Sequence, residues 1–499
     1  MSKDRQTVLD RQLLTGIAWT AVLRWSAQII SWIATAVAAR LLVPGDYGIM
    51  SMAMLAVGLV RMVDDLGLDA VLVQDRSIVG ESQARLAGLT ILVGAVAFVC
   101  IVLLAQPVAA FFNEPEVAAA VSVLGTLTLI EALQVIPRAA LQRALDYRRL
   151  AWAQFIQVVA TQCVLVTGAY FGWRYWALVS STLAGAAAVT LLLIAWHPYS
   201  VRWPRNMFQL AKPLLQGWRI LASRVAWYAY SSADQTIVGR VLGKDALGAY
   251  SFATTFSTTI SQEISSVVIR VVPGVFSSVQ DRRDELRRYF LILTELLAYL
   301  TLPVSFGLVV TADLVVQIVL GPQWDAVTVP LQLLCIYAAF LSSQVLNVHL
   351  LLWTGQFRAN MWLNILAAMT LPTAFYVGAQ WGLEGVAWSW VIAFPLVNVP
   401  SMVIAFRTIR IGVWAWLDAL WPALAACLAM SGAVLALRAV LPGALPLPAT
   451  AVLGVATGGL VYTAVLWWFF RRRVSAILDF AKAIRSRVPE RSPGDAASG

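Results

Sequence analysis

The chain has 499 residues, of which 60% are hydrophobic and only 12% charged, against about a quarter charged in an ordinary soluble domain. It carries 36 Lys and Arg against 26 Asp and Glu, a net charge of +10. This balance excludes an ordinary cytosolic enzyme and disfavours nucleic-acid binding, because basic residues spread over so apolar a chain point to helices in lipid whose inner loops are held by Lys and Arg.

In chain order, a polar start, residues 1–11, precedes an apolar run that lacks a small-residue cleavage site and is too long for the core of a signal peptide, so it reads as a first membrane helix. Segments of about 20 apolar residues, the length that spans a bilayer core, then recur to the end of the chain. They predict an all-α polytopic membrane protein with about 14 crossings. The spans run near 13–38, 47–72, 85–106, 117–137, 150–170, 175–196, 213–238, 247–271, 288–312, 327–353, 359–379, 383–406, 415–437 and 448–470. Cys100, Cys163, Cys335 and Cys427 all fall in apolar stretches, where a thiol behaves as a small hydrophobe. His197 and His349 are the only histidines and lie far apart. No disulfide frame, metal site or cofactor is expected.

An even number of crossings puts both termini on one side. The large majority of the Lys and Arg residues then fall on that side, including Arg138, Arg143, Arg148, Arg149, Arg407, Arg410 and the run Arg471 to Arg473. The other side has only Arg40, Arg174, Arg240, Lys244 and Arg438, together with acidic loops at Asn113 to Glu116 and Asp313 to Asp325. The asymmetry predicts cytoplasmic termini.

The chain also contains a copy of itself. At an offset of 200, Arg24 matches Arg224, Arg40 matches Arg240, Gly48 matches Gly248 and Ser51 matches Ser251. At an offset of 210, Leu141 matches Leu351, Arg148 matches Arg358, Trp152 matches Trp362, Gly168 matches Gly378 and Gly172 matches Gly382. Matching glycines and charges argue against chance similarity between apolar helices. Two six-helix bundles of like orientation follow, in a pseudo-two-fold arrangement about the membrane normal, with a binding cavity expected between them. The expected domains are residues 1–200, residues 201–406, two further helices in 407–470, and a basic tail, 471–499, with apolar residues at helical spacing that suit a membrane surface.

Five arginines, Arg24, Arg61, Arg219, Arg224 and Arg270, fall inside spans, where a charge costs about 2.5 to 3.5 kcal/mol and normally faces protein or water. Thr20, Arg24, Gln28, Ser31 and Thr35 form one stripe, and the matching span carries Arg224, Tyr228, Ser231 and Gln235 with Asp234 beside them. Two such stripes imply one shared polar cleft. The cleft suits an anion, since guanidinium fits phosphate oxygens and stays charged. Arg61 and Asp65 are spaced as an i, i+4 ion pair, while Glu263 and Arg270 share a face two turns apart. Asp64, Asp65 and Glu263 are candidates for ion coupling or for balancing an arginine. No nucleotide-binding loop is present in the sequence.

The segment Ala39 to Gly48 (Ala-Arg-Leu-Leu-Val-Pro-Gly-Asp-Tyr-Gly), Asp65-Leu66-Gly67-Leu68, Leu141 to Arg149 and Trp173 to Val179 resemble the polysaccharide-transport branch of the multidrug/oligosaccharidyl-lipid/polysaccharide exporter superfamily, whose members include Wzx and WzxC-like oligosaccharide flippases. The resemblance runs over nearly the whole chain. It implies the fold of that superfamily, shared with the multidrug and toxin extruders, and a function in polysaccharide, capsule or lipopolysaccharide biosynthesis. The implied activity moves an undecaprenyl-diphosphate-linked oligosaccharide repeat unit from the cytoplasmic to the periplasmic leaflet of the bacterial inner membrane by alternating access, with a polysaccharide polymerase and chain-length regulator as partners. It further implies that Arg24, Arg224 and Arg270 hold the diphosphate. Trp25, Trp227 and Tyr228 are candidate sugar contacts, although Trp and Tyr also anchor helices at lipid interfaces. The main alternative is a cation-coupled multidrug extruder, which needs acidic rather than arginine-bearing stripes; a membrane enzyme would need a large outer loop, and all outer loops here are short.

Overall fold

The computed structural model describes residues 3–64, 80–203, 227, 228, 230–269, 272, 276, 282–440 and 446–476, with side chains described from Val22 onward and not at 63, 64, 260, 261, 267 and 357. Among these residues the protein is built from helices and eleven segments are long and apolar enough to cross a membrane. Exposed Leu103, Leu191, Met369, Val452 and Trp468 form part of the apolar outer surface that lipid would cover.

The helices are α1 (Lys3–Leu41), α2 (Pro44–Asp64), α3 (Glu81–Phe112), α4 (Glu116–Leu124), α5 (Thr126–Ala132), α6 (Val135–Arg143), α7 (Tyr147–Tyr170), α8 (Tyr175–Trp196), α9 (Ala233–Ile269), α10 (Arg283–Val315), α11 (Thr328–Trp353), α12 (Phe357–Ala379), α13 (Gly382–Ile409), α14 (Val413–Val440) and α15 (Leu447–Phe469). Local chemistry sets their ends. Asp146 caps α7 by accepting a hydrogen bond from the Arg149 amide (3.0 Å), and Asn113 closes α3 in the left-handed conformation, as short polar residues do at caps. The predicted 117–137 span is a single crossing divided into α4, α5 and α6. Its interruptions keep right-handed helical backbone at Gly125, Leu133 and Gln134. The predicted 213–238 span lies outside the described residues up to position 226. Its end continues into the next predicted span as α9, bent at Gly243 (φ 86°, ψ −177°), a conformation that glycine alone adopts without strain.

The chain divides into two compact units, one of residues 1–252, 319–327 and 371–386, the other of residues 253–318, 328–370 and 387–499. In the first, α1 lies along α7, which pairs with α8. The seam is formed by Ala38, Leu42, Leu165, Ala169, Ala177 and Leu178. α2, α3 and α4 pack on one another, and Gln134 crosses to Thr190 of α8 (2.8 Å), which satisfies a buried amide in an apolar interior.

In the second unit α10 is the central element, packed against α11, α14 and α15 through a core that includes Phe290, Leu297, Leu346, Phe406, Trp416 and Cys427. Thr301 and Ser342 share a hydrogen bond (2.9 Å) inside the α10–α11 seam. Polar clamps hold α14 and α15 to α10: Arg438 binds the Asp313 carboxylate and donates to the Val310 carbonyl (2.8 Å), while the Tyr462 hydroxyl donates to the Tyr299 carbonyl (2.9 Å). Two turns share their backbone across the 210-residue offset: Leu145 and Gly355 have φ of 55° and 75°, and Gly172 and Gly382 have φ of 73° and 77°.

Candidate functional site

A densely bonded polar region of the first unit lies where α2 meets the Gly243 corner of α9. The offset of 200 becomes a reciprocal contact there. A Cβ on Gly48 would overlap the Lys244 carbonyl oxygen, and one on Gly248 would overlap the Pro44 carbonyl oxygen. One turn further the Ser51 hydroxyl donates to Ser251 Oγ (3.0 Å). Residue i of one copy meets residue j of the other and the reverse, as an isologous two-fold interface requires.

Crossed loop contacts surround this seam. The Arg240 guanidinium donates to the Phe111 carbonyl (2.6 Å) and lies over the Phe111 ring (5.5 Å); its counterpart Arg40 donates to the Val319 carbonyl (3.3 Å). Lys244 Nζ pairs with Glu114 (3.0 Å) and Glu116 (3.4 Å), and Arg174 reaches Glu116 (3.5 Å) and the buried Asp46 (3.6 Å). Asp46 also accepts from the Val43 and Tyr175 amides at 3.3 and 3.1 Å. Trp324, in the short turn Pro322–Val327, is fully buried and donates its indole N–H to the Ala39 carbonyl (2.8 Å), with its ring 5.3 Å from Tyr47 and 5.1 Å from Phe252. The hydrogen bond to Glu114 raises the Lys244 pKa above its ordinary value against the opposing effect of desolvation.

Toward the middle of α2, Tyr228 fills the space beside Gly58 and its hydroxyl donates to the Leu55 carbonyl (3.0 Å). Arg61, one turn on, pairs with Glu131 of α5 (2.6 Å), and Arg138 of α6 donates to the Gln134 side chain (2.8 Å). Both guanidiniums act electrostatically on the single carboxylate of Glu131.

Of the residues that the sequence proposes for the cleft, Arg24 and Trp25 are exposed on α1, and Gln28 and Ser31 are half-buried. Ser31 accepts from Gln162 of α7 (3.1 Å) and so faces a helix seam. Trp227 is exposed and Gln235 half-buried, Ser231 donates to the Tyr228 carbonyl (3.3 Å), and Asp234 is buried, accepting from the Tyr250 hydroxyl (2.9 Å) across the Gly243 bend. Glu263 is exposed on α9 in the second unit. Arg224, Arg270 and Asp65 lie outside the described residues, as does the side chain of Asp64.

Sequence reasoning missed Glu131 as the partner of Arg61, the buried Trp324, and the pairing of Lys244 with Glu114 and Glu116. A signal for the last existed, since Lys244 is one of few bases on a side whose loops are acidic.

Among the described residues the chain is helical, with eleven segments able to cross a membrane, and positions 200 apart in sequence meet reciprocally in the first unit, a pattern compatible with membrane transporters that carry internal repeats. The comparisons narrow the class. A family model described as polysaccharide biosynthesis protein matches residues 37–329. WzxC, a lipopolysaccharide biosynthesis protein of Escherichia coli K12, is 23% identical over 410 residues, covering 80% of this chain and 81% of its own. ExoT, a succinoglycan biosynthesis transport protein of Rhizobium meliloti, is 22% identical with 98% and 99% covered. The fold is similar to that of the lipid II flippase MurJ in an inward closed conformation, with a TM-score of 0.71, 10% identity, and 91% and 99% of the chains covered. The chain belongs to the polysaccharide biosynthesis protein family.

Proposed function

We propose that this protein is a flippase that carries undecaprenyl-diphosphate-linked oligosaccharide repeat units across the bacterial inner membrane, from the cytoplasmic to the periplasmic leaflet, for exopolysaccharide, capsule or lipopolysaccharide O-antigen assembly. The observation that supports the reading is the reciprocal Gly48–Lys244 and Gly248–Pro44 contact in a member of this family: within the first compact unit, positions of the two predicted repeats meet at the α2–α9 seam. Alternating access requires such a seam to open and reclose. The excess of Lys and Arg in the loops opposite the seam supports cytoplasmic termini and a periplasmic seam.

In this scheme Arg24, exposed on α1, meets the diphosphate, with Arg224 and Arg270 completing the anion site and the half-buried Gln28 and Gln235 beside it; Ser31, Tyr228, Ser231 and Asp234 bond within the helix packing instead. Trp25 and Trp227 offer faces to sugar rings. Asp64, Asp65 and Glu263 are the carboxylates available to a coupling ion. A polymerase and a chain-length regulator receive the product. Deleting the gene tests the reading: lipid-linked repeat units accumulate on the cytoplasmic side and surface polysaccharide is lost, with unchanged resistance to cationic drugs. Loss of drug resistance with normal polysaccharide would overturn it. Arg24→Ala with Arg224→Ala abolishes export while the protein stays in the membrane; full export would remove the diphosphate assignment.

A further inference from the structure

A cleft of about 470 Å³, within the range of about 300–1,000 Å³ typical of ligand sites, opens where α13 ends and α14 begins. Two guanidiniums, Arg407 and Arg410, line it, and its other walls are apolar: Val403, Phe406, Ile411 and Val413. No carboxylate lines the cleft, and neither arginine has an ion-pair partner among the described residues. Asp418, one turn into α14, is already bound by Arg473 (2.8 Å).

The surfaces leading away from the cleft are as apolar as its walls. On α13, Ile392, Leu396, Val399 and Val403 are exposed at helical spacing, and on α14 so are Trp414, Leu417 and Trp421. From Ile392 to Val403 the α13 stripe is about 16 Å long at ~1.5 Å per residue, roughly the half-thickness of a ~30 Å bilayer core. Trp414, 83% exposed and next in sequence to the lining residue Val413, has the character of an interfacial anchor. A cationic mouth that continues into an apolar track one leaflet long matches a ligand with a phosphate at one end and hydrocarbon at the other.

We propose that this cleft binds an anionic glycerophospholipid of the leaflet on the side of the C-terminal tail, its phosphate held by Arg407 and Arg410 and an acyl chain lying along α13. Basic pockets between membrane helices on the cytoplasmic side bind phospholipid headgroups in this way. A free phosphate compound would leave the apolar walls and track unused. The site lies at the junction of the second predicted repeat with the α14–α15 pair, and it does not depend on the flippase reading.

The backbone supplies a clean variant. The Ile411 amide donates to the Phe406 carbonyl (2.9 Å) and Arg410 has φ 53°, a helix-ending turn in which glycine is the usual residue. Arg410→Gly therefore removes the guanidinium while easing the backbone. The full chain is placed in phosphatidylcholine nanodiscs with increasing fractions of phosphatidylglycerol, and retained lipid is counted by native mass spectrometry. The wild type retains one phosphatidylglycerol. Arg407→Gln and Arg410→Gly each weaken retention about five-fold and together about thirty-fold, while Arg410→Gly leaves the melting temperature unchanged or raised. Undiminished retention in the double variant, or displacement of the lipid by inorganic phosphate or by undecaprenyl diphosphate at equal concentration, would overturn the assignment.

Discussion

Gly48 and Gly248 face backbone carbonyls that leave no room for a methyl group, so Gly48→Ala or Gly248→Ala holds the seam apart and lowers export by an order of magnitude or more; Gly459→Ala, on α15 with open space around it, leaves export unchanged. Both are measured as surface polysaccharide at matched protein level. Lys244 adds a charge contact with a defined sign. Its pKa is raised, chiefly by Glu114, so its contribution is full below the ordinary lysine value of about 10.4 and is lost only as pH rises through the higher folded value. Spin labels at Asn113→Cys and Asp325→Cys therefore report no lysine-driven change in separation between pH 6 and 9. Gly48 and Gly248 were legible as a pair because the repeat aligns them, but their partners were not. The spacing of Arg61 and Asp65 suggests a pair along one helix, and Asp65 lies outside the described residues; the described pairing of Arg61 with Glu131, 70 residues away, had no sequence signal, because helical periodicity carries no information about which neighbouring helix supplies a counter-charge.

At the scale of elements, apolar length alone located most of the helices, since a bilayer demands a continuous run with every backbone group paired. The bend in α9 follows from Gly243 between two apolar runs. The division of the fourth span into α4, α5 and α6 had no counterpart in hydropathy, which does not register a lapse that keeps right-handed backbone. Trp324 is the clearest omission. Its segment reads as an acidic loop, yet the indole is fully buried and bonded to Ala39. Trp324→Ala should destabilise the first unit by about 3–5 kcal/mol and Trp324→Phe by about 1 kcal/mol, measured by reversible unfolding in detergent; equal effects would show that the hydrogen bond, not the packing, dominates.

At the scale of the whole molecule, composition and charge asymmetry were enough to read a multi-pass helical protein, and short motifs were enough to read its family. The candidate site was less legible: polar stripes identify helix faces, but Ser31 faces α7 and Asp234 is sealed against Tyr250, because a stripe does not distinguish a cavity from a helix seam. The proposed sidedness has its own check. Glu114→Cys in the intact cell reacts with a membrane-impermeant maleimide and Ser498→Cys does not; the reverse pattern would invert the topology. The central claim is that the seam between α2 and α9 must part for each cargo, and Ser51 and Ser251, whose hydroxyls are 3.0 Å apart, allow it to be tested directly. Ser51→Cys with Ser251→Cys, oxidised to the disulfide in membranes, is expected to stop transfer of lipid-linked oligosaccharide to the periplasmic leaflet and to recover on reduction; undiminished transfer with the disulfide fully formed would contradict the account.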